Sequence, residues 1–120
     1  MSRWRTFGSR GRVAAKALLR QTSCGYQEAA SGNEFVIVGV LLGSISGEIA
    51  YSPAFFVALD DAGRQYETTF LIDCGEALNT GNLTSAANTK GFIYFEVPLR
   101  ANLTLVMRNI LSDEIARMDL

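Results

Sequence analysis

The sequence predicts an all-β domain, an antiparallel β-sandwich, preceded by a basic N-terminal arm. Three observations lead there. An uncharged run from Phe35 to Gly47 is dominated by β-branched and aromatic residues. An acid-then-glycine turn at Asp60, Asp61, Ala62 and Gly63 separates two strand-like segments. A period-two alternation of side chains runs from Phe92 toward the last residue. With 120 residues, 48% of them hydrophobic and 19% charged, the chain has material for one core and no second.

The first run, FVIVGVLLGSISG, carries Gly39, Gly43 and Gly47 at the spacing of a small-residue membrane-helix motif. It is too short for a span of about 17–25 apolar residues, and Glu48 closes it. Phe35, Val36, Ile37, Val38 and Val40 favour a buried strand, within which glycines mark a bulge or a close backbone approach.

After Pro53 the segments Ala54–Leu59 and about Gln65–Asp73 form a β-hairpin around Asp60–Gly63, so Gly63 is expected at positive φ. The stretch from Glu76 to Lys90, rich in Asn, Thr, Gly and Ala, is expected to be a long exposed connection. Beyond it Phe92, Tyr94 and Glu96 share one strand face, Ile93, Phe95 and Val97 the other, and Pro98 stops the strand. Leu103, Leu105 and Met107 alternate with Thr104, Val106 and Arg108, and the pattern resumes from Ile115 to Leu120. Ser112 and Asp113 are residues that cap helices, but the period of two makes the final segment a strand. Six strands in some 85 residues are a sandwich or barrel signature.

Charge is divided along the chain. Residues 1–27 hold Arg3, Arg5, Arg10, Arg12, Lys16 and Arg20 with no acid, whereas residues 28–120 hold all 12 acids and 5 bases. The expected organisation is therefore a basic arm, 1–27, and a sandwich domain, 28–120. In GRVAAKALLRQ the spacing of Arg12, Lys16 and Arg20 beside Val13, Ala17 and Leu18 predicts a basic amphipathic helix. Such an arm suits an anionic membrane surface, while the acidic body argues against nucleic acid as a partner. Lys16 and Arg20 interrupt the apolar stretch a secretion signal needs, and Gln21 stands where a lipoprotein signal usually has Leu. The acid-free, Arg-rich composition also fits an organelle transit peptide, but a structural or poorly ordered terminal segment comes ahead of both targeting readings.

Taken in order, GNEFVIVGV from Gly32 to Val40, FFVALDDAGRQYET from Phe55 to Thr68, KGFIYFEVP from Lys90 to Pro98, and LTLVMRN resemble one family. These motifs are similar to those of the telokin-like, immunoglobulin-like domains of bacterial and archaeal surface proteins. That family is of unknown function and related to a secreted mycobacterial immunoprotective antigen. The resemblance covers residues 28–120. It implies an immunoglobulin-like antiparallel β-sandwich, an extracytoplasmic location often reached through a lipoprotein or membrane anchor, and no catalytic residues. Gly43 and Ser44 replace the family's usual asparagine, Ser85–Thr89 replaces its usual proline-glycine, and the basic arm stands where opening strands are expected.

The chain has no histidine, which excludes Ser-His-Asp and Cys-His nucleophilic sites and His-ligated metals. No phosphate-loop motif occurs. Asp60, Asp61, Asp73 and Glu76 lack the spacing of a calcium loop and read as solvated acids, so neither metal nor cofactor is expected. Asn82-Leu-Thr84 and Asn102-Leu-Thr104 match the glycosylation sequon as chance would allow, Asn102 reading as a turn residue. Trp4 among Arg3, Arg5 and Phe7 suits either a membrane interface or packing on the sandwich. Cys24 and Cys74 are too few for a disulfide scaffold. Nothing in the sequence brings them together, so two separate thiols are expected ahead of a Cys24–Cys74 disulfide.

These residues point to a non-enzymatic, surface-associated binding or structural module. The alternatives are a membrane-peripheral protein docked through its basic arm and, last, a small enzyme. Phe35–Leu42 has neither charge nor proline to protect it as an edge. With one strand short of the usual seven, it is expected to be covered by the arm folding back, ahead of pairing in a homodimer.

Overall fold

A computed structural model describes residues 5–7 and 10–120. Arg3 and Trp4 lie outside the described residues. The first sheet has strand order β1-β2-β5-β10: Arg5–Phe7, Gly11–Gln21, Asn33–Ser44 and Asn88–Pro98. The second has order β12-β11-β7-β8: Glu114–Asp119, Thr104–Arg108, Phe56–Leu59 and Gln65–Glu67. Two short ribbons complete the set, β3 (Ser23–Cys24) with β4 (Gln27–Glu28), and β6 (Ile49–Tyr51) with β9 (Gly81–Leu83). All pairing between these strands is antiparallel. The protein is an all-β sandwich.

Alternation makes the core. Val36, Val38, Val40 and Leu42 of β5 and Ile93, Phe95 and Val97 of β10 turn inward. They meet Phe56 and Ala58 of β7 and Leu105 and Met107 of β11. Phe95 and Leu105 are wholly buried there. The alternating faces expected for β10 and the strand expected at the C-terminus are present as β10 and β12. The hairpin is shorter than expected, β7 with β8, because beyond Glu67 the chain leaves β7 and Thr69 pairs with Tyr94 of β10. Gly63 has φ 80°, the left-handed conformation its turn requires.

The expected helix is absent. Residues 11–21 form β2, which pairs with β5 from Gly11 opposite Ser44 to Gln21 opposite Phe35. A spacing of four places residues on one side of a strand as well as of a helix, so Arg12, Lys16 and Arg20 could not decide between them. What decides is that Val13, Ala15 and Ala17 alternate with Arg12, Ala14 and Lys16, and that β5 offers an open ladder to pair with. β5 thus lies between β2 and β10, and its edge is covered by the arm folding back as a strand. The stretch that charge sets apart contributes β1, β2 and β3.

The segment 76–90 is not an open connection either. Leu78 and Leu83 are buried in the core, β9 pairs with β6, and β10 begins at Asn88. Residues 69–78 run along the outer edge of β10. The Thr69 and Leu78 amides donate to Tyr94 O and Phe92 O, and the Phe92 amide donates to Glu76 O, each at 2.8 Å. These bonds satisfy an edge that would otherwise be exposed.

Candidate functional site

From Phe35 to Leu42, β5 is apolar or bare on both faces, as a strand buried on both sides is. On its outward face one end of β5 and β10 is covered by a second cluster, Phe35, Ile37 and Tyr94 with Leu71, Cys24 and Cys74. Cys24 and Cys74 form a disulfide, with Cα atoms 5.9 Å apart, so the expectation of two separate thiols is corrected. The sequence could not show this because 50 residues separate them and the approach depends on segment 69–78 folding back.

Gln27 holds the same junction. Its Nε2 donates to Cys24 O at 2.8 Å and Ile72 O at 3.2 Å, while its Oε1 accepts from the Ile72 amide at 2.7 Å. The Tyr94 hydroxyl lies 3.2 Å from Cys74 O and 3.3 Å from Gly75 O, to which it donates. Burial pushes the Tyr94 hydroxyl above its ordinary pKa, so it stays a neutral donor.

The rest of the outward face is left open, and there the sheet forms a trough of about 700 Å³. Ala14, Gly39 and Leu41 make the floor. Lys16 and Leu18 of β2 line one side, Lys90 and Phe92 of β10 the other. Gly75 and Glu76, next to the disulfide, close one end. Cross-strand pairing explains the shape. Lys16 and Phe92 both face Gly39, and Ala14 and Lys90 both face Leu41. The middle position of the first row has no side chain, so the sheet dips between its neighbours. A bulge between Ala17 and Leu19 turns Leu18 over this gap, with Leu18 and Leu41 45% and 43% exposed.

The basic residues of the arm do not gather on one face. Arg5 is exposed on β1, and Arg12 and Lys16 turn outward on β2. Arg10 donates to Ser46 O and Glu48 O, each at 3.3 Å. Beyond the bulge Arg20 pairs with the buried Glu34 at 3.1 Å and donates to Ala101 O at 2.7 Å. Glu34 also accepts from the Arg100 amide at 2.8 Å, tying β2, β5 and the loop after β10 together.

Two of the four acids weighed as calcium ligands, Asp60 and Asp61, are held in hydrogen bonds. Asp60 Oδ1 accepts from the Ala62 and Arg64 amides, both at 2.9 Å, and Oδ2 from the Tyr66 hydroxyl at 2.8 Å. These bonds, the Arg64 amide foremost, hold the Asp60 carboxyl below its ordinary pKa. Asp61 accepts from Asn102 Nδ2 at 3.0 Å. Among the described residues no three acidic or thiol groups converge as a metal site.

Sequence reasoning missed the trough. Its signal was present in β5, where the outward positions Phe35, Ile37, Gly39 and Leu41 are apolar or bare like the inward ones. The close backbone approach expected at the glycines of β5 is not what Gly39 meets: the side chain of Leu18 rests over it.

Comparison with known proteins shows the fold. The ycdA protein of Bacillus subtilis, a presumptive lipoprotein, superimposes with a TM-score of 0.79 at 11% identity over 96% of this chain, which spans 37% of ycdA. The secreted protein MPT63 of Mycobacterium tuberculosis superimposes with a TM-score of 0.68 at 14% identity, over 100% of this chain and 92% of that one. The yjhA protein of Bacillus subtilis gives 0.67 at 19% identity, over 92% of this chain and 81% of that one. No curated protein matches the sequence. These likenesses agree with the immunoglobulin-like resemblance carried by the strand motifs. A family model described as a domain of unknown function, DUF4352, matches residues 12–117, from the first basic strand to the last, and the chain belongs to that family.

Proposed function

We propose that the protein is a non-catalytic binding module that works outside the cytoplasm and receives its ligand in the trough on the outward face of the first sheet. The observation that carries this reading is the apolar floor around Gly39 and the half-exposed Leu41, on a sheet whose outward face is covered at one end only. Apolar concave surfaces of about 300–1,000 Å³ with a few polar groups at the rim are the usual form of a small-molecule site. The location is supported by the Cys24–Cys74 disulfide, since such bonds persist mainly in oxidising compartments. A secreted protein and a presumptive lipoprotein among the similar folds point the same way.

The test is binding of the dye 1-anilinonaphthalene-8-sulfonate to the folded chain, followed by fluorescence. Gly39→Phe fills the dip, and Leu41→Glu places a charge on its floor at an exposed position. Both variants should lose the dye signal while keeping the wild-type circular dichroism. Undiminished binding in both would place the ligand surface elsewhere.

A further inference from the structure

The chemistry of the trough narrows the class of ligand. The floor is apolar and carries no side-chain hydrogen-bonding group, so it offers little to a sugar or a small polar metabolite. Its long direction runs with the strands. From Ala14 to Leu18 one side extends about 13 Å along β2, at roughly 3.3 Å per residue. Across the strands its flanks, β2 and β10, stand about 10 Å apart. An apolar bed that runs with the strands accepts an extended alkyl chain.

The rim supplies the second half. Residues 28–120 hold 12 acids against 5 bases, yet the trough is bordered by two lysines and one acid. Lys16 and Lys90 stand on opposite sides, one cross-strand row apart. Strand spacing puts their Cα atoms about 12 Å apart, within reach of one head group for two flexible lysine stems. Both are exposed and neither forms an ion pair among the described residues. Lysine stems lie along apolar surface and leave the ammonium in water, the geometry needed where a chain ends in a charged head.

We propose that the trough binds a single-chain amphiphile with an anionic head, the head between Lys16 and Lys90 and the alkyl chain running on between Leu18 and Phe92. This rests on the reading of the trough as the binding face. Leu18, on the rim and half exposed, closes over the chain, while Phe92 packs against its other side.

The experiment is isothermal titration calorimetry of the intact, disulfide-bonded chain with dodecanoate, dodecyl maltoside and dodecyltrimethylammonium, each below its micelle concentration. Phosphatidylglycerol vesicles form a fourth arm. Dodecanoate should bind once per chain and more tightly than the other two. The double variant Lys16→Glu, Lys90→Glu should weaken dodecanoate roughly tenfold and dodecyl maltoside by much less. Equal binding of all three heads, unaffected by the double variant, overturns the anionic assignment and leaves the trough reading standing. Dye binding without any alkyl ligand overturns the chain assignment. Vesicle binding without dodecanoate binding overturns it in favour of a membrane surface. Failure of dye and alkyl ligands together removes the trough reading as well.

Discussion

Leu18 lies over Gly39 so closely that a methyl group placed on Gly39 would sit 3.0 Å from Leu18 Cδ1. The obstacle is the end of a flexible, half-exposed side chain, so Gly39→Ala should cost less than about 1 kcal/mol. Gly91 makes the opposite case. A methyl group there would meet the backbone of Leu78 at 2.5 Å and 2.7 Å, and the segment that satisfies the edge of β10 would have to move. Gly91→Ala should therefore cost about 1–3 kcal/mol, the usual penalty for overpacking. Urea unfolding of the two variants compares them, and equal costs would contradict the packing described.

The disulfide closes a sequence separation of 50 residues, which in the chain-entropy account stabilises the fold by about 4 kcal/mol. It also fixes Gly75 and Glu76 at the end of the trough. Replacing Cys24 and Cys74 together by Ser should lower the unfolding free energy by about 2–5 kcal/mol. Dye affinity should fall with it even where the variant remains folded. Unchanged stability, measured by denaturant titration, would show that the bridge staples nothing.

At the tip of the β7–β8 hairpin, Gly63 has φ 80° with open space around it, so the constraint on this residue is its backbone alone. Gly63→Val should cost at least about 1 kcal/mol more than Ala62→Val at the neighbouring exposed position. Thermal unfolding of both variants settles the order, and equal midpoints would count against this turn.

Acid should loosen the same hairpin. A carboxyl whose folded pKa is depressed contributes stability that is present above its unfolded value, about pH 3.9, and is lost as the pH falls through the folded value. Asp60 is such a group, through the Arg64 amide first and then Tyr66 and Ala62. Asp60→Asn removes the titration. The variant should be less stable than wild type at pH 7, and the gap should narrow once the pH has fallen well below about 3.9. Urea midpoints at the two pH values read this directly, and a gap of constant size would contradict it.

Much of the fold was legible because local chemistry agreed with tertiary position. The β-branched run became β5, the acid-glycine turn became the Asp60–Gly63 tip, and the alternation around Phe95 and Leu105 became the core. What could not be read depended on distant partners. β2 is a strand because β5 has a free edge, and its i, i+4, i+8 bases look alike in helix and strand. Leu78 and Leu83 sit in a polar stretch, and only the packing of segment 76–83 against β10 and β6 buries them. The trough was hidden for the same reason. Lys16, Gly39 and Phe92 are far apart in sequence and become one row only when three strands align.

Where a ligand sits is the central claim, and chemical-shift mapping tests it most directly. Amide spectra of the labelled protein would be followed during titration with 1-anilinonaphthalene-8-sulfonate. The competing apolar surface is the β11–β12 turn, where Ile110 and Leu111 are 80% and 77% exposed. Shifts confined to Ala14–Leu18, Gly39–Leu41, Gly75–Glu76 and Gly91–Phe92 are the predicted result. Shifts centred on Ile110 and Leu111, with the Gly39 row unmoved, would contradict the account.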